Sequence, residues 1–185
     1  VATRNLATTH RMQLGLDSAS RCDVFEGILT TRAKNRISNV TDGTSNTLMW
    51  SEVLQSPWTQ LPGQAWPDRR GRIWNDDTFC YQFSVHLPPN SPKGDFGYCD
   101  PNNKNYPCDP TGTGLASASA AQAYMVPRSR HPGGVNVSMC DGSTRFVNDN
   151  INTGNLAAVA PSFDSGSPSP YGVWGALGSK SGGDA

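Results

Sequence analysis

Residues 135–147 narrow the choice of folds more than any other part of the chain. They read Val135-Asn-Val-Ser-Met-Cys140, then Asp141-Gly142, then Ser143-Thr-Arg-Phe-Val147. Apolar and polar side chains alternate on both sides of the Asp-Gly pair, as half-buried antiparallel strands require. Asp and Gly accept positive φ at low cost, so the pair predicts a β-hairpin with a two-residue connection.

A partner strand lies far upstream. Leu48-Met-Trp-Ser-Glu-Val-Leu54 directly follows a cluster of turn formers, Thr41-Asp-Gly-Thr-Ser-Asn-Thr47, and reads as a buried strand of the same sheet. Residues 24–29 (Val-Phe-Glu-Gly-Ile-Leu) and 79–85 (Phe-Cys-Tyr-Gln-Phe-Ser-Val) read as further strands. Near the end, Trp174 and Leu177 are spaced to dock on the core from a short helix. Between these runs, 19 glycines and 14 prolines, with only 36% hydrophobic residues, favour turns and long ordered loops over long helices. At 185 residues the chain suits one domain over 1–185, with 55–123 as an irregular, proline-punctuated excursion whose aromatics need somewhere to pack. The expected fold is α+β, dominated by an antiparallel sheet with long ordered loops.

Charge excludes one class of partner. Fifteen basic and fifteen acidic residues cancel, and no basic run is long enough to neutralise a phosphate backbone, so nucleic acid is not expected. No stretch approaches the ~20 apolar residues of a membrane span. The sequence opens at Val1 without an initiator Met, and the expectation is a soluble portion whose targeting information has been cut away. Cysteines occupy positions 22, 80, 99, 108 and 140. Cys99 and Cys108 bracket a polar, Pro-rich loop that a disulfide would stiffen, and no C-x-x-C pair argues for zinc instead. The odd count leaves a thiol over, and the roles of Cys22, Cys80 and Cys140 stay open.

Two stretches resemble a known family. One is residues 37–52, Ile-Ser-Asn-Val-Thr-Asp-Gly-Thr-Ser-Asn-Thr-Leu-Met-Trp-Ser-Glu. The other is residues 129–147, where His131 is followed after nine residues by Asp141-Gly142, together with the ending Trp-Gly-Ala-Leu-Gly-Ser-Lys-Ser-Gly-Gly. They are similar to a large paralogous family of planctomycetal proteins of unknown function with a prepilin-type N-terminus. The resemblance implies a pilin-like protein, with a β-rich globular domain outside the cytoplasm (surface, periplasmic or secreted). Its partners would be copies of itself or other pilin-like subunits. Membrane contact would come only through an N-terminal hydrophobic helix, which this sequence lacks. No reaction is implied, so a structural subunit is expected before an enzyme.

The remaining side chains offer several chemistries. His131 and Asp141 invite a metal or catalytic reading, but a six-residue strand of roughly 20 Å separates them. His131 is more simply a loop-binding or ligand-binding residue, and Asp141 serves the turn. Calcium, which pseudopilins of secretion systems bind in C-terminal loops, is the better metal, with Asp42, Asn46, Asp100, Asp141 and Asp149 as oxygen donors. Asp-Gly and Asn-rich turns form equally well without it.

For hydrolysis, Ser45, Ser51 and Ser129 lack a G-x-S-x-G elbow, and His10, His86 and His131 lack zinc spacing. A glycosidase reading would pair carboxylates, for example Glu52 with Asp76 or Asp77. Trp58, Trp66 and Trp74 recur every eight residues and suit either core packing or a platform for a polysaccharide or small solute. Carbohydrate binding is the leading alternative function, and an uncharacterised hydrolase the next.

Overall fold

The computed structural model describes residues 36–57, 68, 70–71, 83–95, 99–109, 125–158 and 166–183. A 3-10 turn, Ile37–Asn39, leads to strands β1 (Leu48–Ser51), β2 (Gly134–Met139) and β3 (Thr144–Asn148) and a helix, α1 (Gly172–Gly178). The strands form one antiparallel sheet in the order β1-β2-β3. The fold is therefore α+β with the sheet dominant.

The hairpin forms where the alternation placed it, but its turn differs. Gly142 N–H donates to the Met139 carbonyl at 3.0 Å, and Met139 N–H donates to Ser143 at 2.8 Å. Three residues, 140–142, thus close the loop. Gly142 takes φ +85°, while Asp141 stays out of the left-handed region. A two-residue connection through Asp141-Gly142, of type I′ or II′, needs positive φ at its first residue. Asp141 instead keeps ordinary backbone by accepting Ser143 N–H at 2.9 Å and the Ser143 hydroxyl at 2.7 Å on Oδ1. This is the three-residue hairpin in which glycine alone supplies the left-handed step.

Val135, Val137 and Met139 of β2, Val147 of β3 and Leu48 of β1 point to one face and are buried. Phe83, Val85, Met125 and Trp174 pack against them, with Val53, Ile151 and Leu177 at the margin. Trp174 and Leu177 thus dock from α1 as the spacing predicts. The Trp174 indole N–H finds the Leu87 carbonyl at 2.9 Å, which satisfies its polar end inside the core. Seven residues with three glycines make a poor isolated helix, so burial of Trp174 holds α1 in place. The opposite face of the sheet carries Trp50, Asn136, Ser138, Thr144 and Phe146.

Two expected strands are altered. The run 48–54 pairs only as far as Ser51, for a reason given below. Of 79–85, residues 83–85 are buried but join no strand, and the only main-chain bond there among the described residues is Ser84 N–H to Met125 at 2.9 Å. Residues 79–82, and the expected strand at 24–29, lie outside the described residues.

In the described parts of the excursion, polar bonds replace a ladder. Cys99 and Cys108 form the expected disulfide. Beside it, Arg70 pairs with Asp68 at 2.7 Å and Asp95 at 2.8 Å, and donates to the carbonyls of Tyr106 and Pro107. Arg128 reaches Asp95 at 3.3 Å and the carbonyls of Ser91 and Lys93. All four charged residues are buried. Such charges are tolerated only when every lone pair and proton is met. Here Ser56 Oγ and Asp100 N–H also donate to Asp68, and Val126 N–H to Asp95, so neutral donors support the ion pairs.

Candidate functional site

β1 stops at Ser51 because Glu52 changes the chain's course. Glu52 N–H still donates to Asn136 at 3.2 Å, but its carbonyl turns away to accept Arg128 N–H at 2.9 Å. The ladder position on Asn136 is filled by the side chain instead. Asn136 N–H donates to Glu52 Oε2 at 2.8 Å. Glu52 Oε1 accepts the Asn136 side-chain amide at 3.3 Å and lies 3.1 Å from His131 Nε2. Burial raises the Glu52 pKa, yet these hydrogen bonds from Asn136 and His131 prevail and hold it below the usual carboxylate range. The result is an ionised, fixed carboxylate on a half-exposed surface.

His131 reaches this position through the loop ahead of β2. Ser129 Oγ donates to the Gly134 carbonyl at 2.7 Å and accepts His131 N–H at 3.0 Å. Asn90, in the left-handed region at φ 54°, accepts Ser129 N–H at 2.9 Å and donates to Gly134 and to Asp149 Oδ1. The loop is therefore fixed from two sides. Among the described residues no hydroxyl or thiol is hydrogen-bonded to the His131 ring. Among the described residues the pair has the base and its orienting carboxylate, but no nucleophile hydrogen-bonded to them.

The proposed metal donors are dispersed and engaged. Asp42 accepts Gly182 N–H at 2.7 Å and Gly183 N–H at 2.9 Å, one on each oxygen. Asn46 donates to the Asp42 carbonyl at 3.3 Å. Asp100 Oδ1 takes Asn102 N–H, Asp141 takes Ser143 and Asp149 takes Asn90. Among the described residues no three His, Cys, Asp or Glu side chains gather into a group able to hold a metal. His131 and Asp141 lie beyond opposite ends of β2.

The turn cluster 41–47 has a role that its composition alone does not reveal. Thr41 N–H donates to Lys180 at 2.8 Å, and Thr47 Oγ1 to Ser179 at 3.2 Å. On its other side, Cys140 N–H donates to Thr47 and Asp141 N–H to Thr44. One loop thus ties the hairpin tip to the C-terminal segment. The density of Asp, Thr and Asn at 41–47 was the available signal, since those side chains accept and donate to nearby backbone.

Two further groups were missed or left open. His86 is buried against Tyr171, ring centroids 4.9 Å apart, with Nδ1 3.1 Å from Ser84 Oγ, and burial pushes its pKa down to about 3. Cys140 is a free thiol pushed up to about 11, by burial and then by the Asp141 charge, which makes it a poor nucleophile. Trp58, Trp66, Trp74, Asp76, Asp77, His10, Cys22 and Cys80 lie outside the described residues. The exposed aromatics that are described, Trp50 and Phe146, sit on the outer face of the sheet.

The model of a family described as a protein of unknown function (DUF1559) matches residues 7–154. No curated protein and no solved structure matches the chain.

Proposed function

The chain belongs to the DUF1559 family of proteins of unknown function, and from that premise we propose that it is the globular, extracytoplasmic part of a pilin-like surface protein, a structural subunit that associates with its own kind. The observation that carries this reading is how the polar groups are used. Glu52, His131, Asp42 and Asp141, the side chains with the most chemical promise, hold strand ends, turns and the C-terminal segment together. The two motifs that resemble the planctomycetal pilin-like proteins are thereby one physical unit, joined at Glu52–Asn136 and Thr47–Cys140. The disulfide suits an oxidising compartment.

The test is the intact mass and N-terminal sequence of the protein isolated from its native cells. A longer chain, beginning with an N-methylated apolar residue and a hydrophobic helix, is the expected result. A mature chain that starts near Val1 would remove the pilin reading.

Polysaccharide binding is the second reading. Trp50 is 39% and Phe146 52% exposed on the face that also carries Asn136 and Ser138, a mix of aromatic and amide groups suited to sugar rings.

A further inference from the structure

Among the described residues, strand β3 is an open edge. The hydrogen-bonded pairs of the hairpin are fixed by Met139 N–H on Ser143 and Asp149 N–H on Gly133 at 2.9 Å. Bonded pairs recur every second residue in an antiparallel ladder. Val135 with Val147 and Val137 with Arg145 therefore use their main-chain groups inside the hairpin. The main-chain groups of Thr144, Phe146 and Asn148 must point away from β2. The same alternation turns Asn136 toward β1, where its carbonyl accepts Glu52 N–H, so the parity is confirmed on the other side. Among the described residues nothing bonds to the N–H and C=O of Thr144 and Phe146, or to the N–H of Asn148.

This edge has few of the features that keep edges apart. It runs five residues in unbroken register with β2 and contains no proline. Its one charge, Arg145, is on the face opposite Phe146 and within electrostatic reach of Asp141 on its own hairpin tip. Phe146 lies against Gly134, whose missing side chain leaves room for the ring, and half of Phe146 stays exposed.

We propose that β3 pairs antiparallel with β3 of a second copy of this chain, across a two-fold axis at Phe146, joining two three-stranded sheets into one. The inference rests on the subunit reading above and names the surface that reading needs. The strand's own sequence argues for a second copy. With Phe146 opposite Phe146, Thr144 meets Asn148 and Arg145 meets Val147, so each face of the extended sheet stays as it is in the monomer. A slip of one residue would set the solvent face against the core face. A two-fold centred on Arg145 would place two guanidinium groups opposite each other. Only the Phe146 register engages all three outward residues of both strands, for about four main-chain bonds apart from the Asn148 carbonyls that Ile151 N–H already occupies. The strip is smaller than a stable interface, so the pair should be weak in dilute solution and favoured where subunits are crowded.

The experiment is sedimentation of the full chain over a wide concentration range, with charge-swapped variants. Wild type should dimerise with concentration. Phe146→Lys and Phe146→Glu should each weaken association by about tenfold, through like charges at the axis and loss of the ring pair. An equal mixture of the two should recover it. Thr144→Lys mixed with Asn148→Glu sets opposite charges one pair away, so the mixture should associate more tightly than either variant alone, should either Phe146 variant fail to fold. A wild type that stays monomeric at every concentration, or a dimer indifferent to these changes, would overturn the pairing. So would a monomer that accepts only a foreign strand peptide on this edge. If the edge fails while the native protein still carries its hydrophobic helix, the β3 pairing alone is lost. If the dimer forms but the native chain starts near Val1, the pilin reading is lost and the pairing stands.

Discussion

Glu52 acts as a backbone carbonyl supplied by a side chain. It lets β1 end and the chain turn toward Arg128 while the Asn136 N–H stays bonded. Removing the carboxylate leaves that donor to water on a half-exposed surface, so Glu52→Ala should cost about 1–2 kcal/mol in urea unfolding at neutral pH. Glu52→Gln retains an oxygen for the Asn136 N–H and should recover most of the loss. If glutamine is as damaging as alanine, the charge and its contact with His131 carry the stabilisation, and the cap on the ladder does not. The sign of the pKa displacement fits either case. A carboxylate held below its usual range stabilises the fold above that range, and the benefit disappears as pH falls through the lowered value.

At the scale of elements, the disulfide and the buried ions do the work that strands do elsewhere. Asp95 bridges to Cys108, accepts Asp109 N–H on its carbonyl at 2.8 Å and binds both Arg70 and Arg128. Replacing Cys99 and Cys108 by serine removes a ten-residue loop closure, expected to cost roughly 2–3 kcal/mol. Arg70 also takes the carbonyls of Tyr106 and Pro107 from inside that loop, so loosening it should cost more than loop entropy alone. A urea midpoint for the double variant equal to that of wild type would show that the ion network fixes the loop without the bond. The disulfide was legible because two cysteines bracketed a loop with no apolar residues. The network was not, because Asp68, Arg70, Asp95 and Arg128 are scattered through irregular sequence and no periodicity links them. The hairpin was legible from alternation, while its three-residue turn was not, since Asp-Gly serves both turn types and the choice falls to the Ser143 hydroxyl and N–H. Glu52 and His131 were singled out separately, and only the fold brings them within 3.1 Å.

For the whole molecule, pH separates the contributions of its buried groups. Folding keeps His86 neutral, with its pKa pushed down to about 3 by burial from an ordinary value of 6.5. The unfolded chain therefore takes up a proton below 6.5 that the folded chain refuses. Stability should fall by about 1.4 kcal/mol for each pH unit below that point, until the folded-state value is reached. Glu52 and Asp68 act later. Both are lowered from ordinary values of 4.5 and 3.8, so their stabilisation is complete above those values and is lost only in stronger acid. Between pH 6.5 and 5 the His86 penalty should reach roughly 2 kcal/mol, before either carboxylate contributes. His86→Gln keeps a polar side chain beside Ser84 but cannot take up the proton, so its unfolding free energy should be flatter across that interval. The measurement is urea unfolding of both proteins at half-unit steps from pH 7 to 4.5. Parallel curves would mean that the buried imidazole reaches solvent or a compensating charge when protonated, and that the core between the sheet and α1 is looser than Trp174 and Tyr171 make it.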